Sequence, residues 1–283
     1  SIVGSNSNSW SDPASVSAHA NMEKTFIYWK SVHNRKAIDD QDQSIVSVVH
    51  VTDNGRKMDN AFWNGRMMAY GDGDQAFTPL AEALDVSGHE MTHGVVQNTA
   101  NLVYEGQAGA LNESFADVFG IMIDRKNFLM GEDIMKSNGN IALRDISNPS
   151  NPQVFDPQPD HMNKFKVLSS SVDNGGVHIN SGIPNKAAYN AIVSLNREKV
   201  EKIWYRALSV YLTRSSQFID SRKACEKAAQ DLFGANSNEF QAVGKAFADV
   251  GIGGSATNPP DNKVPPVNGG KYLIAFMLSL IKI

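Results

Sequence analysis

Two segments that carry polar groups at helical spacing constrain this chain more than any other feature. In GHEMTHGVVQ (88–97), His89 and His93 are four residues apart, and in ALNESFADVFG (110–120) Glu113 and Asp117 share that spacing. Positions i and i+4 of an α-helix lie one turn apart on one face, so each segment aims a pair of polar groups at one point. Two imidazoles and a carboxylate from converging helices suit a zinc ion that keeps one position open for water. Glu90 follows the first histidine and projects beside that point, within reach of a water without being a ligand. Glu113 is the candidate third ligand. Asp117 can accept the second ring N–H of a ligating histidine, and Asn112, which precedes Glu113, is grouped with it as an outer partner of the ligands. The alternative is an ordinary helix that carries polar groups. The second carboxylate-bearing helix downstream weighs against it.

Composition narrows the class. The chain has 283 residues, 41% hydrophobic and 20% charged, which fits a soluble globular protein with a sizeable core in one large domain or two lobes. Its net charge of −4, with no basic run interleaved with aromatics, argues against a nucleic-acid partner. Cys225 is the single cysteine, so there is no intramolecular disulfide and no multi-cysteine zinc ribbon. In SRKACEKAAQDLFG it reads as a buried filler rather than a nucleophile. The start lacks a basic and apolar leader, so the chain is cytosolic or its targeting segment has been removed.

Patterning divides the chain near residue 80. After a Ser/Asn/Gly-rich loop (1–15), helical spacing runs from Val16 to about His33, followed by a β-branched run over 44–51. NAFWNGRMMAYGDGD (60–74) reads as a hairpin ending in a Gly/Asp turn. From about Thr78 to Gly251 the signals are mostly helical. The expected fold class is therefore α+β: a partial, strand-containing N-terminal lobe (1–80), a helical lobe carrying the metal site (81–253), and a linker with a short apolar tail (254–283). That tail, KYLIAFMLSLIKI, is shorter than the roughly 20 apolar residues that cross a bilayer as a helix. It reads as a truncation scar, ahead of a docking strand or a membrane-surface anchor, and membrane insertion is not expected.

The stretch GHEMTHGVVQNTANLVYEGQAGALNESFADVFG resembles the thermolysin-like zinc metalloproteases, a gluzincin family in which HExxH precedes an NExxxD helix. NAFWNGRMMAYGDGD and DNGGVHINSGIPNKAAY also resemble family blocks, and the similarity runs from about residue 10 to 252. It implies a two-lobed zincin fold with the active-site helix between the lobes. The family's N-terminal β region is longer, which makes this lobe a shortened one.

Position by position, the resemblance implies zinc ligands His89, His93 and Glu113, and Glu90 as the base that activates the water. Tyr104 and His178 match the groups that stabilise the oxyanion, and Asp173 the carboxylate that orients His178. Asn60 and Ala61 match edge-strand residues that bind substrate backbone, and Arg144 the arginine that holds a substrate carbonyl. Phe77, Leu80, Val86, Met130, Ile134 and Leu143 match the apolar primed-side pocket, with plain core packing as the alternative for them. Asp85, Asp124 and Glu132 match carboxylates that hold one calcium ion. The resemblance thus implies a secreted, extracellular, monomeric endopeptidase, made as a zymogen. It would cleave polypeptides on the amino side of bulky hydrophobic residues through a zinc-activated water. The runner-up is a metal-binding, catalytically inactive peptide-binding module.

Overall fold

The computed structural model describes residues 9–136 and 139–253; the expected linker and apolar tail (254–283) lie outside the described residues. Helix α1 spans Pro13–His33. It starts three residues before the apolar spacing does, because Asp12 caps it by accepting from the Ser15 N–H at 2.8 Å and Pro13 occupies the first turn. Asn34, in the left-handed region, ends it.

Strands β1 (Ser47–Asp53), β2 (Arg56–Lys57), β3 (Ala61–Trp63) and β4 (Met68–Gly71) form one sheet in the order β2-β1-β4-β3. The β-branched run thus becomes a strand that begins three residues later than expected. β4 runs parallel to β1 and antiparallel to β3, which closes the hairpin expected over 60–74 and leaves β3 at the sheet edge. Within β1 the pairing shifts between Val48 and Val51, where His50 adopts a positive φ of 57°.

The rest is mainly helical: α2 (Leu84–Gln97), α3 (Gly106–Asp124), α4 (Asp173–Asn180), α5 (Gly182–Ser194), α6 (Arg197–Arg206), α7 (Phe218–Phe233) and α8 (Asn238–Ala248). Two-residue strands β5 (Leu129–Met130) and β6 (Arg144–Asp145) pair between α3 and α4. After α6 the chain widens into a π-helical turn at Ala207–Tyr211, closed by the Leu212 N–H on the Ala207 carbonyl at 3.0 Å. The segment thus departs from a plain α-helix within the stretch where the sequence signals are mostly helical. The architecture is α+β and two-lobed. Among the described residues no helix is long and apolar enough to cross a membrane.

Helix α3 is the centre of the molecule. Every residue from Ala108 to Ile123 is buried, and a helix buried on all sides belongs inside a core rather than on its surface. It packs most extensively against α2. The two helices cross at glycines: a Cβ on Gly88 would stand 3.2 Å from the Gly120 Cα, and one on Gly120 would stand 2.8 Å from the Asp85 carbonyl oxygen. This backbone-to-backbone approach brings His89 and His93 over Glu113. Cys225 is a free, buried thiol, as its helical context suggests.

Candidate active site

Polar groups on a helix as enclosed as α3 are costly unless they are partnered, and those of α3 are partnered almost completely. Asp117, with no exposed surface, accepts from His89 Nδ1 at 2.9 Å, Arg144 Nε at 2.9 Å, Arg144 Nη2 at 2.6 Å and Asn185 Nδ2 at 2.9 Å. These four donors use the full acceptor capacity of a carboxylate. Each charge-assisted bond contributes about 1.5–3 kcal/mol, enough together to offset a desolvation cost of several kcal/mol. Burial pushes the Asp117 pKa up, but Arg144 and His89 outweigh it and hold the group ionised. Asn112 accepts from His93 Nδ1 at 2.8 Å, and its own amide N–H reaches the Leu102 carbonyl at 3.3 Å, which fixes its orientation.

With each Nδ1–H engaged, both imidazoles turn Nε2 inward. The two Nε2 atoms lie 3.0 Å apart, and each lies 3.4 Å from a Glu113 carboxylate oxygen. Ligand atoms about 2.0–2.1 Å from a tetrahedral zinc ion stand roughly 3.3–3.4 Å from one another. His89, His93 and Glu113 are the one group among the described residues whose ligand atoms close to metal-binding distance. Glu113 Oε2 is buried and has no hydrogen-bond partner, as expected of an oxygen kept for a cation. The donor set therefore fits zinc. Burial resists charge on His89, yet its hydrogen bond to Asp117 and the nearby Glu113 carboxylate raise its pKa to about 10. Burial likewise favours the neutral Glu113, but His178, His93 and His89 hold it well below the usual carboxylate range. The pocket is built to concentrate negative charge on a cation.

Glu90 is buried one residue from His89, and burial raises its pKa against the pull of His89 and His93. A carboxylate whose proton affinity is raised beside a metal site is suited to accepting and returning a proton. Across the vertex, the Tyr104 hydroxyl contacts Glu113 and lies 3.1 Å from His178 Nε2. The Tyr104 ring is 37% exposed, so this pair lines an accessible face. At Asp173, Asn174, Gly175 and Gly176 the backbone holds φ between 49° and 85° before α4 turns helical. This left-handed run, which two consecutive glycines make accessible, folds Asp173 back onto His178. Its carboxylate accepts from the His178 backbone N–H at 2.8 Å and from Nδ1 at 2.6 Å. Burial lowers the His178 pKa, but Glu113 and Asp173 prevail and raise it to about 9.

The other expected residues are placed less uniformly. Ala61 lies on edge strand β3 and Asn60 just before it. Arg144 is buried, with its guanidinium engaged by Asp117. Phe77, Leu80, Val86, Met130 and Ile134 are buried in the core and Leu143 packs partly buried against it, while the Phe77 ring meets Phe155 at 5.7 Å. Asp85 is buried. Burial and the neighbouring Glu132 and Asp124 push its pKa up to about 7 against the Gly131 N–H. Three partners escaped sequence reasoning. Asn185 holds Asp117, Gln158 donates to the His178 carbonyl, and Asp156 stands near Arg144 and His178. Asn185 sits in a quoted motif, and a polar side chain on an otherwise apolar helix face was the available signal.

Two helices sharing a His–His–Glu vertex, with a glutamate beside it and a tyrosine–histidine pair opposite, define the HExxH metallopeptidase class. Residues 1–97 match the thermolysin metallopeptidase catalytic domain and residues 100–252 its alpha-helical domain, so the chain belongs to the thermolysin metallopeptidase family. It is 49% identical over 243 residues to an extracellular elastase of Staphylococcus epidermidis, covering 84% of this chain and 46% of that protein. It is 47% identical over 257 residues to a bacillolysin of Bacillus amyloliquefaciens, covering 89% and 47%. The chain thus spans about half the length of these curated relatives. Among solved structures, a precursor of protealysin, a metalloproteinase from Serratia proteamaculans, superposes with a TM-score of 0.79 at 35% identity, covering 88% of this chain and 81% of that chain.

Proposed function

We propose that this chain is the catalytic body of a secreted, zinc-dependent endopeptidase that cleaves on the amino side of bulky hydrophobic residues. The observation that carries the reading is the shared vertex of His89, His93 and Glu113, with the buried Glu90 adjoining His89 in sequence and the Tyr104–His178 pair against Glu113. A zinc ion held by those three residues supplies a Lewis acid and lowers the pKa of a water.

The protein's own groups do the rest. An extended peptide lies along the β3 edge at Asn60 and Ala61. Arg144, anchored by Asp117, takes a substrate carbonyl, and the pocket bounded by Phe77, Leu80, Val86, Met130, Ile134 and Leu143 takes the apolar side chain. Glu90 accepts a proton from the attacking water and returns it to the leaving nitrogen. The Tyr104 hydroxyl and His178 Nε2–H donate to the carbonyl oxygen as it gains charge, where preorganised donors contribute most. Asp173 keeps the His178 ring aligned.

Asp85, Asp124 and Glu132 carry the oxygen donors that calcium takes and are assigned to one calcium site, although among the described residues their ligand atoms do not close together as those of the zinc group do. The buried, unpartnered Glu132 Oε2 supports this assignment, as does the burial of Asp85, which together with the charges of Glu132 and Asp124 raises its pKa. The name of the staphylococcal relative, an extracellular elastase, supports secretion. The chain acts as a monomer on polypeptide substrates and is released from a zymogen.

The test is cleavage of a casein-type substrate by the purified chain, with and without a zinc chelator, beside Glu90→Ala. Cleavage that ignores the chelator, or survives Glu90→Ala, refutes the mechanism. Stoichiometric zinc without cleavage favours a peptide-binding module instead.

A further inference from the structure

Asp156 is a carboxylate that the reaction above does not use. Its backbone is pinned beside the site: the Asp156 N–H donates to the Leu143 carbonyl at 3.0 Å and the Phe155 N–H to the Ala142 carbonyl at 2.9 Å. This pairing sets the Asp156 backbone alongside the segment that leads into Arg144, whose guanidinium acts on the Asp156 carboxylate, and the residue before it, Phe155, packs on Phe77. Four charged groups act on it: Arg144, His178, Asp173 and Asp117. They already form two pairs, Arg144 with Asp117 and His178 with Asp173. Asp156 is the carboxylate left over. Among the described residues, no group hydrogen-bonds to its side chain or forms an ion pair with it.

The group is only partly exposed. Burial raises its pKa, with Arg144 and His178 opposing, so its charge is poorly hydrated and unpaired. A carboxylate in that state gains more from an incoming cation than a fully hydrated one does.

We propose that Asp156 is a specificity-determining residue that receives a lysine or arginine side chain of the substrate, at the position immediately after the residue held in the apolar pocket. The placement follows from neighbours. The pocket wall at Phe77 and Phe155 fixes one substrate residue, Arg144 takes the carbonyl of that residue, and Asp156 flanks both. The inference rests on the peptidase reading and on the role given there to Arg144.

The experiment uses three internally quenched peptides that keep leucine as the pocket residue and place lysine, glutamine or glutamate after it. For the zinc-loaded chain, kcat/KM for the lysine peptide exceeds that for the glutamate peptide by about fivefold. Asp156→Asn collapses that ratio to near one while the glutamine peptide is cleaved as before, and Asp156→Lys inverts it. A ratio unchanged in Asp156→Asn overturns the proposal. So does an equal loss on all three peptides, which marks a structural role in supporting Arg144. If none of the peptides is cleaved, the peptidase reading fails separately. The proposal is then decided by the affinities of the same peptides for zinc-loaded Glu90→Gln, where an equal affinity for lysine and glutamate peptides overturns it.

Discussion

The Arg144 guanidinium grips both oxygens of the Asp117 carboxylate through two hydrogen bonds of 2.9 and 2.6 Å, and both side chains are buried. The same carboxylate holds the His89 ring. One ion pair therefore joins the residue expected to hold substrate to a residue expected to hold metal.

Asp117→Ala strands a guanidinium in the core, and losing one partner of a buried pair costs about 3–5 kcal/mol. Urea unfolding should show a loss of that order. Zinc affinity should also fall, by about 10–100-fold, because His89 loses the acceptor that fixes its ring. A variant with wild-type stability and zinc affinity would show that Asp117 does not couple the two.

Glu90→Gln keeps the shape of the side chain and removes its proton-accepting charge. Zinc stoichiometry should stay at the wild-type value while kcat falls by about 10²–10⁴-fold. Loss of the metal together with activity would move Glu90 from base to ligand.

Stripping the metal removes a ligand that binds only the folded chain. At a free zinc concentration about 1,000 times its Kd, the ion contributes roughly 4 kcal/mol to stability. The chelated protein should melt at a lower temperature and recover on adding zinc. A separate increment from calcium should disappear in Glu132→Gln; if it persists there, the acidic group at Asp85 is not its site.

His50 bridges the start of α1 and the sheet, with Nδ1 at 2.8 Å from Asp72 and Nε2 at 3.1 Å from Asp12. The bond to Asp72, more than the bond to Asp12, raises its pKa against a small effect of burial. A raised folded-state pKa gives stability that is complete below the unfolded value near 6.5 and is lost as pH climbs through the folded value. His50→Gln should therefore lower Tm more at about pH 5.5 than at about pH 8.5. The difference should be small and shrink with added salt, since the ring is 45% exposed. An equal loss at both pH values would rule out the charged bridge.

The core of the site was readable in the chain because it is local. His89 with His93, and Glu113 with Asp117, are each one helical turn apart, and helix period is what a sequence displays best. The rest is long-range. Asn185 reaches Asp117 across 68 positions, and an asparagine on an apolar helix face can signal burial but does not name the distant carboxylate it holds. The burial of Arg144 follows from a two-residue strand, β6, too short to give a period. The π-helical turn at Ala207 uses residues that suit an α-helix equally well, so only packing reveals it.

The crossing of α2 and α3 at Gly88 and Gly120 has a consequence for tolerance to change. Because the main chains themselves touch there, the separation of the three ligand-bearing positions is fixed by the thickness of bare polypeptide rather than by adjustable rotamers. Surface loops at either end of the pair can lengthen or shorten without detuning the chelate, whereas a single methyl group at the contact acts as a wedge on all three ligands at once.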